Sequence, residues 1–580
     1  MKKLIKNILF AGSVCCCITA TTALTSCSDF LDEHTPQGTL SDEQVKTPEN
    51  AEAMVVSAYA IFTTAEDINS SFSMWNFDVR SDDAYKGGSG TSDGDVFHQL
   101  EVQQGVLTTN WNINDMWVRL YNSLSRVNSA IALLNESDYG MKTQRLAEMK
   151  FLRAYGHFLL KRLYKHIPFV INENLTYDEY NSLSNTAYTN DEGWQLIIDD
   201  LMEAFNTLSE TQADKGRPTK AAAAAFLAKV YLYKAYRQDD AATNQVTSIN
   251  EADLQKVVEF TAPALYANYG LEDDFHNNFR PEEEYENGIE SIWAIQYSRN
   301  DGSTYGNLNW SYGLIPPNIP GATDGGCDFY KPSQNLVNAY RTGSDGLPLL
   351  DTFNQRNYDK AADNADPRLF LTVGIPGLPY MFNPAYMMEE TSIWSRSNGL
   401  YGYNVSLKQN VDPALIDQYL IKGSYWASSM NRIVFRYADV LLMRAEAEAQ
   451  LGNTTEAIQL VNQLRTRAAQ STQMIASYPN RYGVKMFISN YRGSYSKADA
   501  LRIVKMERRL EMGMECERFF DLVRWGEAAT VLNKYYAEEI DNCAIYTAAH
   551  FTENRDEYLP IPFEQLSASN GHYTQNIGNW

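Results

Sequence analysis

Ala438-Asp439-Val440-Leu441-Leu442-Met443-Arg444-Ala445-Glu446-Ala447 leads into Leu451-Gly452-Asn453 and then Ala457-Ile458. Apolar residues recur at spacings of three and four on both sides of the Gly, which is the period of a helix with one buried face. Gly452 suits the first position past a helix end, where the backbone turns left-handed. Alanines at 445, 447, 449 and 457 let two helices approach closely. The stretch therefore predicts an antiparallel helical hairpin, Tyr437 to Leu451 followed by Glu456 to Ala469.

Similar segments flank it. Ala51 to Phe62 follows Thr47-Pro48, an N-cap and a first helical residue. Trp111 to Leu134 carries Met116, Leu120, Leu124, Val127 and Ile131 on one face. Arg145 to Tyr164 ends before Pro168. Asn190 to Leu208 spaces Trp194, Ile197, Leu201 and Phe205 helically. Lys220 to Tyr236, Ala252 to Tyr266 and Leu501 to Met512 complete the set. The pairing resembles tetratricopeptide units, helix–turn–helix repeats that stack into a curved scaffold. The expected fold is mostly α, a tetratricopeptide-like scaffold of helical pairs.

Residues 280 to 430 break the pattern. They are rich in Gly, Pro, Asn, Tyr and Trp, and Leu314-Ile315-Pro316-Pro317-Asn318-Ile319-Pro320-Gly321 reads as turn and extended chain. A shorter irregular stretch runs from Ser81 to Gln104. Loops this long in a large domain are usually functional. The expected organisation is thus a helical part over 47–280, a long irregular loop-rich insert over 281–430 and a second helical part over 431–580, with 47–580 forming one unit.

The first 46 residues read as an address. Lys2, Lys3 and Lys6 precede an apolar run from Ile8 to Leu24, which ends in Leu24-Thr25-Ser26-Cys27. A plain secretory signal would end in small residues alone. Here a thiol stands at the cleavage point, so 1–26 is predicted as a lipoprotein signal peptide, Cys27 as the acylated residue and 27–46 as an acidic tether. Ser28 at the next position favours the outer membrane. With Cys27 acylated, only Cys327, Cys516 and Cys543 remain, too few for a disulfide framework. The fold must rest on a large core.

Composition excludes several functions. A net charge of −23 opposes nucleic acid, which needs clustered Lys and Arg, and anionic lipid. There is no His-Glu-x-x-His, nucleophile elbow or phosphate loop, and the seven His residues show no metal-ligand spacing. No catalytic residue, metal or cofactor is predicted. The 37 Tyr and 10 Trp suit sugar rings, core packing and protein interfaces alike.

Four segments together resemble the SusD/RagB family of surface lipoproteins. They are Cys27-Ser28-Asp29-Phe30-Leu31-Asp32, Glu148 to Tyr155 with Tyr164 to Val170, Phe435 to Ala447, and Glu507-Arg508-Arg509 through Glu517 to Gly526, closed by Tyr558-Leu559-Pro560-Ile561-Pro562 and Gln575-Asn576. The resemblance implies a non-catalytic binder of a polysaccharide or oligosaccharide on the cell surface. It implies delivery to a SusC-like TonB-dependent β-barrel in the outer membrane. Some relatives handle peptides instead, and a surface glycoside hydrolase is the weakest alternative. In the starch-binding relative an aromatic follows an acidic stretch. The similar stretch here is Ser81-Asp82-Asp83-Ala84-Tyr85-Lys86-Gly87-Gly88, with Gly at the aromatic position and Tyr85 as the substitute. Ligand candidates are Asp82, Asp83, Tyr85, Tyr305, Trp310, Tyr312, Tyr330 and Trp394. Any one of the aromatics could equally be a core residue or a contact to the barrel; two or three on one open face is the expectation. Glu507, Arg508, Arg509, Arg518, Asp521 and Arg524 are expected to form an internal charged network.

Overall fold

The computed structural model describes residues 47–62, 77–302, 306–323, 325–421 and 427–580. Twelve helices of eight or more residues are described: α1 Pro48–Ala60, α2 Asp95–Val102, α3 Trp111–Glu136, α4 Lys142–Tyr164, α5 Asn190–Thr207, α6 Lys220–Ala235, α7 Glu251–Phe260, α8 Tyr437–Gln450, α9 Thr454–Gln470, α10 Lys497–Met512, α11 Arg518–Trp525 and α12 Ala528–Glu539. The helix signals in the sequence correspond to local chemistry. The Thr47 side chain accepts from the Asn50 N–H at 3.4 Å, and Pro48 opens α1. Gly452 sits at φ +90° between α8 and α9. The predicted helix from Ala252 to Tyr266 is shorter: α7 stops at Phe260, and Pro263–Tyr266 forms a 3-10 turn, because Pro263 lacks the N–H that would continue it.

The helices of the scaffold pack in sequence order. The contacts run α3–α4–α5–α6–α7, continue from α7 to α8 across more than 170 residues of intervening chain, and end in the triangle α8–α9–α10. The scaffold is thus a mostly helical stack of the tetratricopeptide type, and the loop-rich segment leaves it and returns to it. Ala221 to Ala225 at the start of α6 are all buried, which lets α6 sit against several neighbours. The return is sealed by an antiparallel ribbon: β2, Ser291–Ile295, pairs with β4, Arg432–Arg436. Phe435 of β4 lies 5.1 Å from the Phe226 ring of α6. Among the described residues no helix is long and apolar enough to cross a membrane, and Cys327, Cys516 and Cys543 are free thiols.

Inside the C-terminal helices lies a charged core. Glu511 of α10 accepts from Arg436 at 2.6 Å, from Arg368 at 2.8 Å and from Arg467. Glu290 accepts from Arg436 and Arg467, each at 2.8 Å. A second group links Asp439 to Lys229 at 3.2 Å and Arg508 at 2.6 Å. A third links Glu446 to Arg524, Tyr236 and the Trp525 indole N–H. Nearly all of these groups are buried, so each charge depends on its partners: breaking a buried pair typically costs about 3–5 kcal/mol.

Arg436→Leu would remove the cation that bridges Glu290, Glu511 and Glu515, leaving Arg467 to hold the first two and Lys408 the third. A urea titration should show a loss above about 3 kcal/mol; an unchanged midpoint would remove the network from its structural role. The pH dependence has a definite sign. Burial raises the Glu446 carboxyl, but Arg524 outweighs it and holds it down, from 4.5 to about 2. A depressed carboxylate stabilises fully above its unfolded pKa, and the gain disappears as pH falls through the folded one. Unfolding free energy should therefore drop steeply between about pH 4.5 and 2, and Glu446→Gln should flatten that slope.

Candidate functional site

The two irregular segments read from the sequence are joined. β1, Ala84–Gly87, pairs antiparallel with β3, Phe329–Pro332, in the register Ala84↔Pro332, Tyr85↔Lys331 and Gly87↔Phe329. The turn beyond β1 is closed from inside. The buried Lys86 ammonium donates to the carbonyls of Gly87, Gly90 and Asp93 at 3.0, 2.9 and 2.7 Å. It faces the rings of Phe329 and Tyr401 at 5.3 and 5.6 Å, and burial lowers its pKa. The Asp93 carboxylate accepts from the Ser89 N–H at 2.8 Å and from Arg396 at 3.4 Å. Gly88, at φ +78°, has no room for a side chain: a Cβ there would meet the Phe329 ring at 2.4 Å. At the tip Ser89 and Ser92 are exposed and Thr91 is half-buried, and the Ser89 hydroxyl donates to Asp93 at 2.9 Å.

The predicted ligand residues divide sharply. Asp82 and Asp83 are corrected to structural roles. Arg518 donates to Asp82 at 2.8 Å, Arg509 to Asp83 at 2.7 Å, and both carboxylates are buried. Burial raises Asp82, but Arg509 and Arg518 outweigh it and hold the carboxyl at about 2. Tyr85 is a core residue. Its hydroxyl donates to Glu539 and accepts the Gln334 N–H at 2.9 Å, and its ring packs between Tyr401 and Tyr546. Tyr330 is equally buried and donates to Asp78 at 2.7 Å. Burial and the neighbouring Asp83 push that carboxyl up to about 7. Trp394 packs 5.6 Å from Tyr380 in a satellite core with Met388 and Val405. None of these rings offers a face to a sugar, because a stacking platform must be wet on one side.

Trp310 and Tyr312 are partly exposed, on the short turn Trp310–Gly313 beside Ala427–Ser428. Behind Tyr312 a cavity of about 70 Å³ is lined by Tyr330, Arg432, Asn431 and Glu286, where burial pushes Glu286 up to about 7. It fits a few waters rather than a sugar ring. Tyr305 and Cys27 lie outside the described residues.

Trp111 is the aromatic that sequence reading left unassigned. It opens α3 behind the N-cap Asn110, is 50 % exposed, and meets the Phe97 ring edge-on at 5.7 Å. Phe97 in turn packs under Gly94, where a Cβ would meet its ring at 2.6 Å. The locked turn and the open indole are thus two ends of one contact chain. The signal was present: at about 100° per residue, Trp111 stands on the opposite side of the helix from Leu120, off the buried stripe. An apolar ring there lies off the stripe and touches the core through Phe97.

Tyr85→Ala should therefore act on stability. A buried aromatic truncated to Ala loses about 3–5 kcal/mol, so melting should fall by several degrees; an unchanged melt with lost ligand retention would return Tyr85 to the ligand face. Lys86→Met should release three carbonyls and open the 87–94 turn, seen as faster amide exchange confined to those residues.

The comparisons with known proteins agree with this architecture. Residues 289–580 match the model of the SusD family, and residues 29–232 match a family described as starch-binding, associating with the outer membrane. A SusD-like protein P2 of Formosa agariphila is 25 % identical over 574 residues, covering 96 % of this chain and 97 % of its own. A SusD homolog of Bacteroides thetaiotaomicron superposes with a TM-score of 0.69 at 18 % identity, over 92 % of this chain and 97 % of that one. The same organism's surface glycan-binding protein A, in complex with laminarihexaose, gives 0.61 at 20 % identity, over 91 % and 99 %. With its second half matched end to end and its helical stack shared, the chain belongs to the SusD family.

Proposed function

We propose that the protein is a non-catalytic receptor. It captures a polysaccharide or oligosaccharide at the cell surface and passes it to a SusC-like TonB-dependent barrel. On this reading Cys27 carries the lipid that holds it to the outer membrane, and loops of segment 281–430 border the ligand face. The half-exposed indole of Trp111, beside a turn whose backbone is fixed by Lys86 and whose tip bears hydroxyls, carries the proposal. A flat apolar face stacks on the C–H side of a sugar ring, while Ser89, Thr91 and Ser92 exchange hydrogen bonds with its hydroxyls. The hydrogen bonds largely replace bonds to water and contribute modestly. Stacking removes apolar surface at about 25 cal/mol per Å², so one ring contributes on the order of 1–2 kcal/mol. The laminarihexaose complex of a fold neighbour supports an oligosaccharide over a peptide as ligand.

Affinity gels loaded with neutral glucans and other plant or algal polysaccharides should retard the soluble protein lacking residues 1–27. Trp111→Ala should weaken that retention about tenfold, since 1.4 kcal/mol is one decade. Its melting temperature should match wild type, because half of the ring supports no core. Retention equal to wild type would remove Trp111 from the ligand face. In cells, Cys27→Ala should shift the protein from the membrane to the soluble fraction and abolish fatty-acid labelling; persistent labelling would contradict the anchor.

A further inference from the structure

A groove of about 530 Å³ opens between α10, α11 and α12 on one side and residues 350–353 on the other. Its volume falls in the range of small-molecule sites, roughly 300–1,000 Å³. Neither Trp111 nor the 87–94 turn lines it. Its walls are apolar and partly open: Leu350, Phe353, Leu501, Met506 and Val531 are each half-buried.

The floor is built from donors. Arg518 of α11 gives Nε and one terminal nitrogen to the Asp82 carboxylate, at 2.8 and 3.0 Å. Arg509 of α10 gives Nε to Asp83 at 2.7 Å, and one terminal nitrogen to the Asp82 carbonyl at 3.1 Å and the Asn335 side-chain oxygen at 2.8 Å. Among the described residues no acceptor meets the Nη1 end of either guanidinium or the side-chain nitrogen of Asn335. All three residues line the groove, and none of the three nitrogens is sealed from solvent. Arg509 and Asn335 are more than nine-tenths buried, so packing holds their free ends in place. Asp82, the one acid in the floor, is already shared by both guanidiniums. Three fixed donors at the bottom of a groove call for an acceptor from outside. A carboxylate, with about four lone-pair sites, answers them, and charge-assisted bonds to guanidinium are among the stronger ones.

The rim is adjustable. Arg502 pairs with Asp351, Lys505 with Glu527 and Lys534 with Glu538. The carboxylate side chains are 78, 42 and 37 % exposed in that order. Exposed pairs contribute little, so these cations can turn toward a ligand at small cost. Five cations then line the groove, Arg502, Lys505, Arg509, Arg518 and Lys534, against four carboxylates, Asp82, Asp351, Glu527 and Glu538. In a chain of net charge −23 that is a local excess of positive charge, and distant charges are screened beyond about 8 Å at physiological salt. An apolar wall gives a bare inorganic anion nothing to rest on. A sugar acid uses both parts, its carboxylate on the floor and the C–H face of its ring on the wall.

We propose that this groove is a second binding site, one that takes an acidic sugar. A hexuronate seats its carboxylate on the free ends of Arg509, Arg518 and Asn335 and lays its ring against Phe353 and Leu501. The site works independently of the Trp111 face. Calorimetric titration of the soluble protein lacking residues 1–27 tests it, with glucuronate, galacturonate and mannuronate as ligands and glucose, sulfate and hexanoate as controls. At least one uronate should bind tenfold or more tighter than every control, and rising salt should weaken it. Thr530→Glu sets a competing carboxylate in the groove, at an exposed position of α12 one turn before Lys534, where the new pair supports the helix. It should weaken the uronate at least tenfold at unchanged melting temperature. Lys534→Glu, at a side chain 64 % exposed, reverses a rim charge and should weaken it by a smaller factor. Thr530→Ala and Trp111→Ala should bind as wild type. Absence of uronate binding, or wild-type affinity in both Glu variants, would overturn the proposal. So would a uronate signal that Trp111→Ala removes, which would move the acid to the first face. Sulfate as tight as the uronates would make the groove a plain anion site, and hexanoate as tight would make it a site for apolar anions; either result removes the sugar from it.

Discussion

One carboxylate, that of Glu511, receives three guanidiniums, those of Arg368, Arg436 and Arg467. They come from the loop-rich insert, from the strand that returns from it and from the helix hairpin beyond. A carboxylate has about four lone-pair directions and Arg presents donors in a fixed planar fork. The bonds therefore set the angles at which three pieces of chain can meet. Apolar packing alone would tolerate a slide of one helix past another; a buried charge with three partners tolerates almost none. Such an arrangement is worth little as net stability, because burial of the charges offsets much of their attraction. Its contribution is position: Arg509, two residues before Glu511, reaches Asp83, and Arg518 reaches Asp82, so the same C-terminal helices fix the start of the first loop.

That chain of constraint explains what the sequence could and could not show. The helical hairpins were legible because their signals are local: a period, a Thr-Pro start, a Gly at a helix end. The internal charged network was legible as a group of arginines and acids in strongly apolar surroundings. The partners of Asp82, Asp83 and Tyr85 were not, since they lie over 400 residues away at Arg518, Arg509 and Glu539. Without them an acidic pair followed by a tyrosine in a Gly-rich stretch looks like a ligand loop. Trp394 failed for a related reason. A long irregular segment can build its own small core, and with Tyr380, Met388 and Val405 it does. Helices α2 and α11 were missed because eight residues are too few to show a period, and α12 was missed although it and α11 bury their apolar residues in the main core of the stack. Trp111 carried its signal in what it does not match, the buried stripe of α3.

The locked turn at 87–94 has a consequence for binding. A loop that orders itself on a ligand gives up conformational entropy at that moment, and the affinity falls accordingly. Here the ordering is already present. Lys86 satisfies three carbonyls from beneath, Gly88 fits against the Phe329 ring, and the strand pair β1–β3 holds both ends. A receptor that meets its ligand through one or two sugar-sized contacts has few kilocalories to gain, so a preformed face matters more than it would in a large interface.

Helix α3 carries the proposed platform, Trp111, at its first turn, and α1 is bonded near its far end through Glu52. Sugar stacking on an indole involves no net charge, so ionic strength leaves it nearly untouched. A net charge of −23 penalises anionic surfaces over roughly a Debye length, about 8 Å at physiological salt, and leaves neutral glycans free to approach.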